Sequence, residues 1–211
     1  MPRNKYPERT EKKILEVSRE LFFQKGYDET TMQDILDKGL SKGAIYHHFK
    51  SKREIFERIM QNIEGGAPSI SPKTDSLNSL EQLKFILSQR LEDKERIKLL
   101  KKAQSLFEDP KVFGELYQIN MNFSADKMKE FINAGNKDNS MKCQYIQGTA
   151  ELITQFFSIW MGTSLYNVSE DDFYNKLDYY KMLFECSGVS LIDSDLYSKL
   201  TDYYKELVQA T

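Results

Sequence analysis

The stretch "LSKGAIYHHFKSK", Leu40–Lys52, holds both histidines of a 211-residue chain, three lysines and no acidic residue. Adjacent histidines raise metal and catalytic chemistry, and the lysines raise phosphate binding. On a helix, neighbouring side chains point about 100° apart, so His47 and His48 cannot hold one ion as an i, i+4 pair would. No cysteine or carboxylate stands between Asp37 and Glu54 to complete a ligand set. Ser41 is accounted for as a helix cap, and no Ser-His-Asp arrangement follows from the spacing. The helix start suits phosphate better. Ser41, Lys42 and Gly43 offer free backbone N–H groups at the positive end of the helix dipole, and Lys42, Lys50 and Lys52 add charge. A nucleotide P-loop is excluded, because it needs Gly-x4-Gly-Lys-Ser/Thr after a strand. The phosphate expected here belongs to a polymer.

Helical periodicity surrounds this stretch. Upstream, Ile14, Val17, Leu21 and Phe22 share one face of a helix from about Glu8 to Gln24, stopped by Gly26. Thr31 and Asp34 have capping-box spacing at the head of a short helix that Gly39 ends. Ser41 caps the next helix, with Ile45 and Phe49 at i and i+4 facing inward. Ser51 and Glu54 form a second box, opening a fourth helix with Ile55, Phe56, Ile59 and Ile63. Two short helices joined by a tight turn at Gly39-Leu40 make a helix-turn-helix. In that unit the second helix enters the DNA major groove by its N-terminal residues. Gly43 and Ala44 are small enough for close approach, the Ala44 methyl suits a thymine methyl, and Lys42 suits guanine or phosphate.

Residues 8–60 resemble the N-terminal domain of TetR-family transcriptional regulators. The resemblance rests on "ILEVSRELFFQKGYDETTMQDI" followed by "LSKGAIYHHFKSKREIF". It implies that Thr31 holds a phosphate, that Ser41, Lys42, Gly43, Ala44, Tyr46 and His47 contact DNA from the recognition helix, and that Lys52 binds the backbone. Lys50 reads either as a phosphate ligand or as a solvated lysine. Two departures bear on which operator is read. "DILDKGLS" is one residue shorter than the usual segment, so the second helix or its turn must tighten. Ala44 stands where a hydroxyl residue is common.

The chain carries 30 basic and 32 acidic residues, a net charge of −2. The charge is uneven: residues 1–63 have thirteen basic and ten acidic side chains, and the remainder is acidic. An anionic partner is thereby directed to the N-terminal part. Cys143 and Cys186 are too few and too far apart for a metal or disulfide framework, which fits a reducing cytoplasm. No cofactor and no metal are expected. The charge-free run 152–169 is too polar and short for lipid. The N-terminus lacks the apolar core of a signal peptide.

The expected fold is all-α, with nine or ten helices: a trihelical helix-turn-helix domain over 1–63, a linker over 64–76 and a helical bundle over 77–211. Bundle helices are expected at 77–91, 94–108, 111–134, 142–167, 170–187 and 193–209, with Ser169 and Asp193 as caps. The helix 142–167 is apolar nearly all round, with Gly148, Ala150 and Gly162 allowing close approach. Phe173, Leu177, Tyr180 and Phe184 line one face of the next. The resemblance implies that this pair forms a homodimer interface and that 77–140 enclose a small-molecule cavity. Phe113, Tyr117, Met121, Phe156 and Trp160 are candidates to line it, although aromatic stripes at this spacing are also ordinary core. Gln104, Asn120 and Gln155 are polar candidates for its walls.

The function expected is a dimeric, sequence-specific DNA-binding regulator, a repressor released from a palindromic operator by a small molecule. One alternative is a helix-turn-helix homologue that binds another regulator instead of DNA. Another is an all-helical carrier or enzyme, which lacks any paired carboxylates, metal set or activated nucleophile to support it.

Overall fold

A computed structural model describes residues 7–63, 76–161 and 168–208. The expected linker, apart from Ser76, and Gly162 lie outside the described residues. The described residues are helical and contain no strand, so the all-α expectation holds. The chain divides into two compact units, residues 1–64 with 102–116, and 65–101 with 117–211.

The first unit begins with α1 (Pro7–Lys25), α2 (Met32–Leu36), α3 (Lys42–His48) and α4 (Lys52–Ile63). α1 packs against the other three. Ile14, Phe22, Ile35, Ile45, Phe49, Ile55 and Phe56 are all at or below 1% exposed, so the apolar faces read from the sequence do meet in one core. Phe22, Tyr27 and Phe56 form its aromatic centre, with ring centroids 4.7–5.9 Å apart. Aromatic pairs of this geometry add about 0.5–1.5 kcal/mol each beyond burial. Thr30 is buried beside them and donates its hydroxyl to the Gly26 carbonyl at 2.8 Å.

The second unit contains α5 (Ser79–Glu92), α8 (Ala125–Lys137), α9 (Ile146–Thr154), α10 (Glu170–Cys186) and α11 (Ser194–Val208). α6 (Lys94–Phe107) and α7 (Pro110–Ile119) contribute residues to both units. α8 packs on α5 and α9, and α11 packs on α5. Asn78 caps α5 in a reciprocal box with Glu81. Ser169 caps α10 by accepting from the Asp172 N–H, and Asp193 accepts from Leu196 at the head of α11, both as expected.

Three features of this unit depart from the periodicity. Between α7 and α8 the helix widens into a π turn, Asn120–Ser124, and a second π turn, Gln155–Trp160, follows α9. Their closing bonds run from the Ala125 N–H to the Asn120 carbonyl and from Met161 to Phe156, one residue longer than an α turn. The helix expected from 142 begins at Ile146 instead. Residues 141–145 are non-helical because their polar groups are taken elsewhere: Asn136 clamps both backbone groups of Cys143, and the Lys142 N–H donates to the Gly188 carbonyl at 2.8 Å. Gly188 has φ +85°, and a Cβ there would meet the Lys142 carbonyl oxygen at 2.1 Å. Only glycine fits a left-handed position pressed against another backbone.

Candidate nucleic-acid interface

The start of α3 is built from its cap outward. Ser41 has extended backbone angles and accepts the Ala44 N–H at 3.2 Å. Ile45 and Phe49 point into the core at 0% and 1% exposure. Ile45 and Phe49 therefore orient the helix, and the opposite face looks outward. Ser41, Lys42, Gly43 and His47 are exposed, Ala44 is half-buried, and Tyr46 is 46% exposed. Lys42 with Tyr46 and Gly43 with His47 form two adjacent i, i+4 rows on that face. A Cβ added at Gly43 would meet nothing within 4 Å, so no intramolecular contact requires glycine there. The His47 and His48 rings pack edge to face at 5.0 Å. No group of three or more metal-ligating side chains exists among the described residues.

The segment before α3 is a short α2 and a tight turn. α2 is five residues long. The N–H groups of Gly39 and Leu40 both return to the Leu36 carbonyl, and Gly39 reverses the chain at φ +83°. The cap of α2 is a full box: Thr31 Oγ1 accepts from the Asp34 N–H, and the Asp34 carboxylate accepts from the Thr31 N–H at 2.8 Å and hydroxyl at 2.7 Å. Lys25 adds an ion pair to Asp34 at 2.7 Å. The Lys25 ammonium and the two Thr31 donors hold the Asp34 carboxyl well below the usual aspartate range. At the head of α4, Ser51 accepts from the Glu54 N–H, while the Glu54 carboxylate reaches the Lys50 N–H, one residue earlier than a standard box predicts.

The lysines of the stretch divide into two kinds. Lys42 and Lys50 have no ion-pair partner among the described residues. Lys52 is engaged: its Nζ donates to the Tyr27 and Asp28 carbonyls at 2.6 and 3.1 Å and lies 4.4 Å from the Tyr27 ring centroid. Burial lowers its pKa. The same side of the unit carries two further ion pairs, Lys111 to Asp28 at 2.6 Å and Arg53 to Glu115 at 3.0 Å. They tie the loop before α2 and the head of α4 to the segment 102–116. Sequence reasoning missed this segment because its ion pairs span 83 and 62 residues of chain, with no local signal of where it packs. Lys38, in the turn ahead of α3, is also exposed and has no ion-pair partner among the described residues. A lone turn lysine gives no sequence signal of its own.

Residues 14–59 match the family model described as "Bacterial regulatory proteins, tetR family". They form a TetR-family helix-turn-helix domain. The regulator QacR of Staphylococcus aureus is 47% identical over 53 residues, 25% of this chain and 28% of QacR. The chain therefore spans little more than a quarter of that relative's length in the match. Solved structures extend the likeness in fold to most of the chain. A TetR-family transcriptional regulator from Syntrophomonas wolfei superposes with a TM-score of 0.61 at 21% identity, over 83% of this chain and 95% of that one. SmeT, repressor of the Stenotrophomonas maltophilia efflux pump SmeDEF, does so with 0.54 at 17% identity, over 85% and 91%. SmeT is also solved in a complex with triclosan, with a TM-score of 0.51 at 17% identity over 94% and 90%.

The second unit contains a cavity of about 60 Å³ between α5, α8 and α9. None of the five aromatic and methionine candidates lines it. Phe156 is fully buried against Tyr180 and Phe184, and Trp160 stacks on Phe173 and Tyr180. Tyr117 is 44% exposed, and Phe113 belongs to the first unit. Of the polar candidates, Asn120 is buried in the first π turn and Gln155 is exposed. No helix among the described residues is long and apolar enough to cross a membrane.

Proposed function

We propose that this chain is a homodimeric DNA-binding repressor that works in the cytoplasm and leaves a palindromic operator when a small molecule occupies its second unit. One observation carries the reading: the first turn of α3 is exposed, small at Gly43 and charged at Lys42, while Ile45 and Phe49 lock its back into the core. That is the posture a major-groove helix needs. Lys42, Tyr46 and His47 are its base-edge and phosphate contacts, Ala44 its apolar one. Thr31, Lys50 and Lys52 flank it as phosphate positions, and Ser41 holds the cap. QacR is a helix-turn-helix transcriptional regulator and SmeT a repressor, and the SmeT complex with triclosan supports a small-molecule effector.

Dimerisation uses α9 and α10. Gly148, Leu152, Gln155 and Ile159 recur at i, i+4, i+7 and i+11, each exposed or half-buried. On α10, Tyr179 and Met182 are 56% and 48% exposed. Open apolar side chains such as Leu152, Ile159, Tyr179 and Met182 suit a second copy of the chain. Two half-sites then lie about 34–36 Å apart or a multiple of it.

The experiment is fluorescence anisotropy with duplexes from upstream of the chain's own gene, across a salt series. Affinity falls steeply with salt, as phosphate contact requires. Absence of salt-dependent binding to any such duplex favours the alternative in which the helix-turn-helix meets another regulator.

A further inference from the structure

We propose that the cavity of the second unit takes an amphipathic anion, a carboxylate carried on a compact apolar body. The inference rests on the ligand-responsive reading above and adds the chemistry of the ligand. Leu83, Ile86, Met128, Phe131 and Phe157 give the cavity apolar walls. Its charged lining consists of Arg90 from α5 and Lys127 from α8, with no carboxylate side chain. A cationic ligand finds no carboxylate on this lining to pair with, and a neutral one makes no use of its two cations. An anion with an apolar body matches both parts. Lys127 pairs with Glu130 at 3.1 Å on the outside of α8, an exposed contact that is cheap to exchange.

Thr154 supplies an independent observation. It lines the cavity and is 3% exposed, yet its hydroxyl has no hydrogen-bond partner among the described residues. A buried hydroxyl left unpaired is costly, and a helical threonine can usually return it to a preceding carbonyl. A ligand carboxylate that reached this hydroxyl would give it the partner it lacks. Ser124 and Ser158 lie on the same lining.

At about 60 Å³ the cavity is far below the roughly 300–1,000 Å³ of pockets that enclose drug-sized ligands, so a ligand enters by moving a wall. Two walls are built to move. Phe123 and Ser124 belong to the first π turn, and Phe157 and Ser158 to the second. Each π turn holds one residue of slack against α-helical register, and such turns recur at functional sites.

Octanoate and 1-octanol, equal in chain length and different in charge, test the proposal by calorimetric titration and thermal unfolding of the full chain. Octanoate is expected to bind at least ten-fold tighter than 1-octanol and to raise the melting temperature more. Thr154→Val raises the melting temperature of the ligand-free chain and weakens octanoate at least five-fold. Thr154→Ser, which keeps the hydroxyl, retains the preference, and Arg90→Gln with Lys127→Met removes it. Equal affinity for acid and alcohol, or a preference that survives the double substitution, overturns the proposal. DNA binding is measured alongside. DNA bound without an octanoate preference refutes the cavity's ligand class alone, whereas octanoate preference without DNA binding refutes the regulator reading alone.

Discussion

Gly43→Ala separates folding from recognition. The residue lies in the first turn of α3, exposed, and an added Cβ meets no atom within 4 Å. Inside the protein the methyl group therefore costs nothing. Alanine is favoured over glycine by about 1 kcal/mol in a helix interior. In a first turn about half of that applies, which raises the melting temperature roughly 1–2 °C for a chain of this size. Against DNA the sign reverses. A methyl inserted where backbone approaches base edges overpacks the contact by about 1–3 kcal/mol. A dimer on two half-sites suffers this twice, so the loss is about 2–6 kcal/mol, or roughly 30-fold to more than 10⁴-fold in Kd. Anisotropy with a labelled upstream duplex at fixed salt reads the affinity, and a circular-dichroism melt of the same sample reads the stability. A variant that melts slightly higher and binds DNA as tightly as the parent refutes the placement of this turn against the duplex.

Lys42→Ala and Ala44→Ser are expected to change the ranking among operator variants by about 1–3 kcal/mol per affected base pair, read by competition binding. Lys52→Met should weaken binding to every duplex alike and also cost about 1–2 kcal/mol of stability in urea unfolding, because its ammonium holds two carbonyls of the loop before α2. The Asp34 carboxyl is depressed in the folded chain. Its stabilising effect is thus complete above the unfolded aspartate pKa of about 4 and is lost as pH falls below it. Asp34→Asn should be less stable than the parent at neutral pH and should flatten that acid limb in unfolding curves measured from pH 7 downward. Gly188→Ala, which drives a Cβ into the Lys142 carbonyl, should cost about 2–4 kcal/mol by thermal melting, with DNA affinity per folded molecule unchanged.

The four helices of residues 7–63 were legible in the sequence because their determinants are local. Capping oxygens, glycine stops and apolar pairs four residues apart act within one or two turns, and each fixes a helix boundary by itself. Thr31, Ser41, Gly39, Ile45 and Phe49 all take the places their spacing predicts. The second unit was legible as helices and not as a site. A π turn is one extra residue inside an otherwise periodic run, so neither Asn120–Ser124 nor Gln155–Trp160 breaks the apolar pattern that announces a helix. The late start of α9 was equally hidden. What unwinds residues 141–145 is Asn136 and the carbonyl of Gly188, and the second is a tertiary contact. Phe156 and Trp160 pack on each other and on Tyr180, because neighbouring aromatic rings satisfy one another first. The residues that do line the cavity, such as Thr154 and Arg90, carry no pattern of their own.

The hydrogen bonds of Lys52 and Thr31 decide which of the two could hold a phosphate while still serving the fold. An ammonium has three protons. Lys52 spends two on the Tyr27 and Asp28 carbonyls, which leaves one for a phosphate, and the two carbonyls fix where that third proton points. A phosphate contact from Lys52 would therefore be preorganised, whereas one from the exposed Lys42 or Lys50 would first have to order the side chain. Thr31 lacks such reserve: its hydroxyl accepts from Asp34 N–H and donates to the Asp34 carboxylate, and its N–H is taken by the same carboxylate. A phosphate reaching Thr31 has to displace Asp34 from that hydroxyl or N–H while Lys25 holds the carboxylate from the other side. Substitution at the two positions should then differ in kind. Loss of Lys52 removes a preset contact and weakens DNA binding at every salt concentration, while Thr31→Val lowers helix stability more than affinity. Should Thr31→Val weaken DNA binding more than Lys52→Met does, the phosphate would have to outcompete the cap, and the order of strength argued from these hydrogen bonds would be wrong.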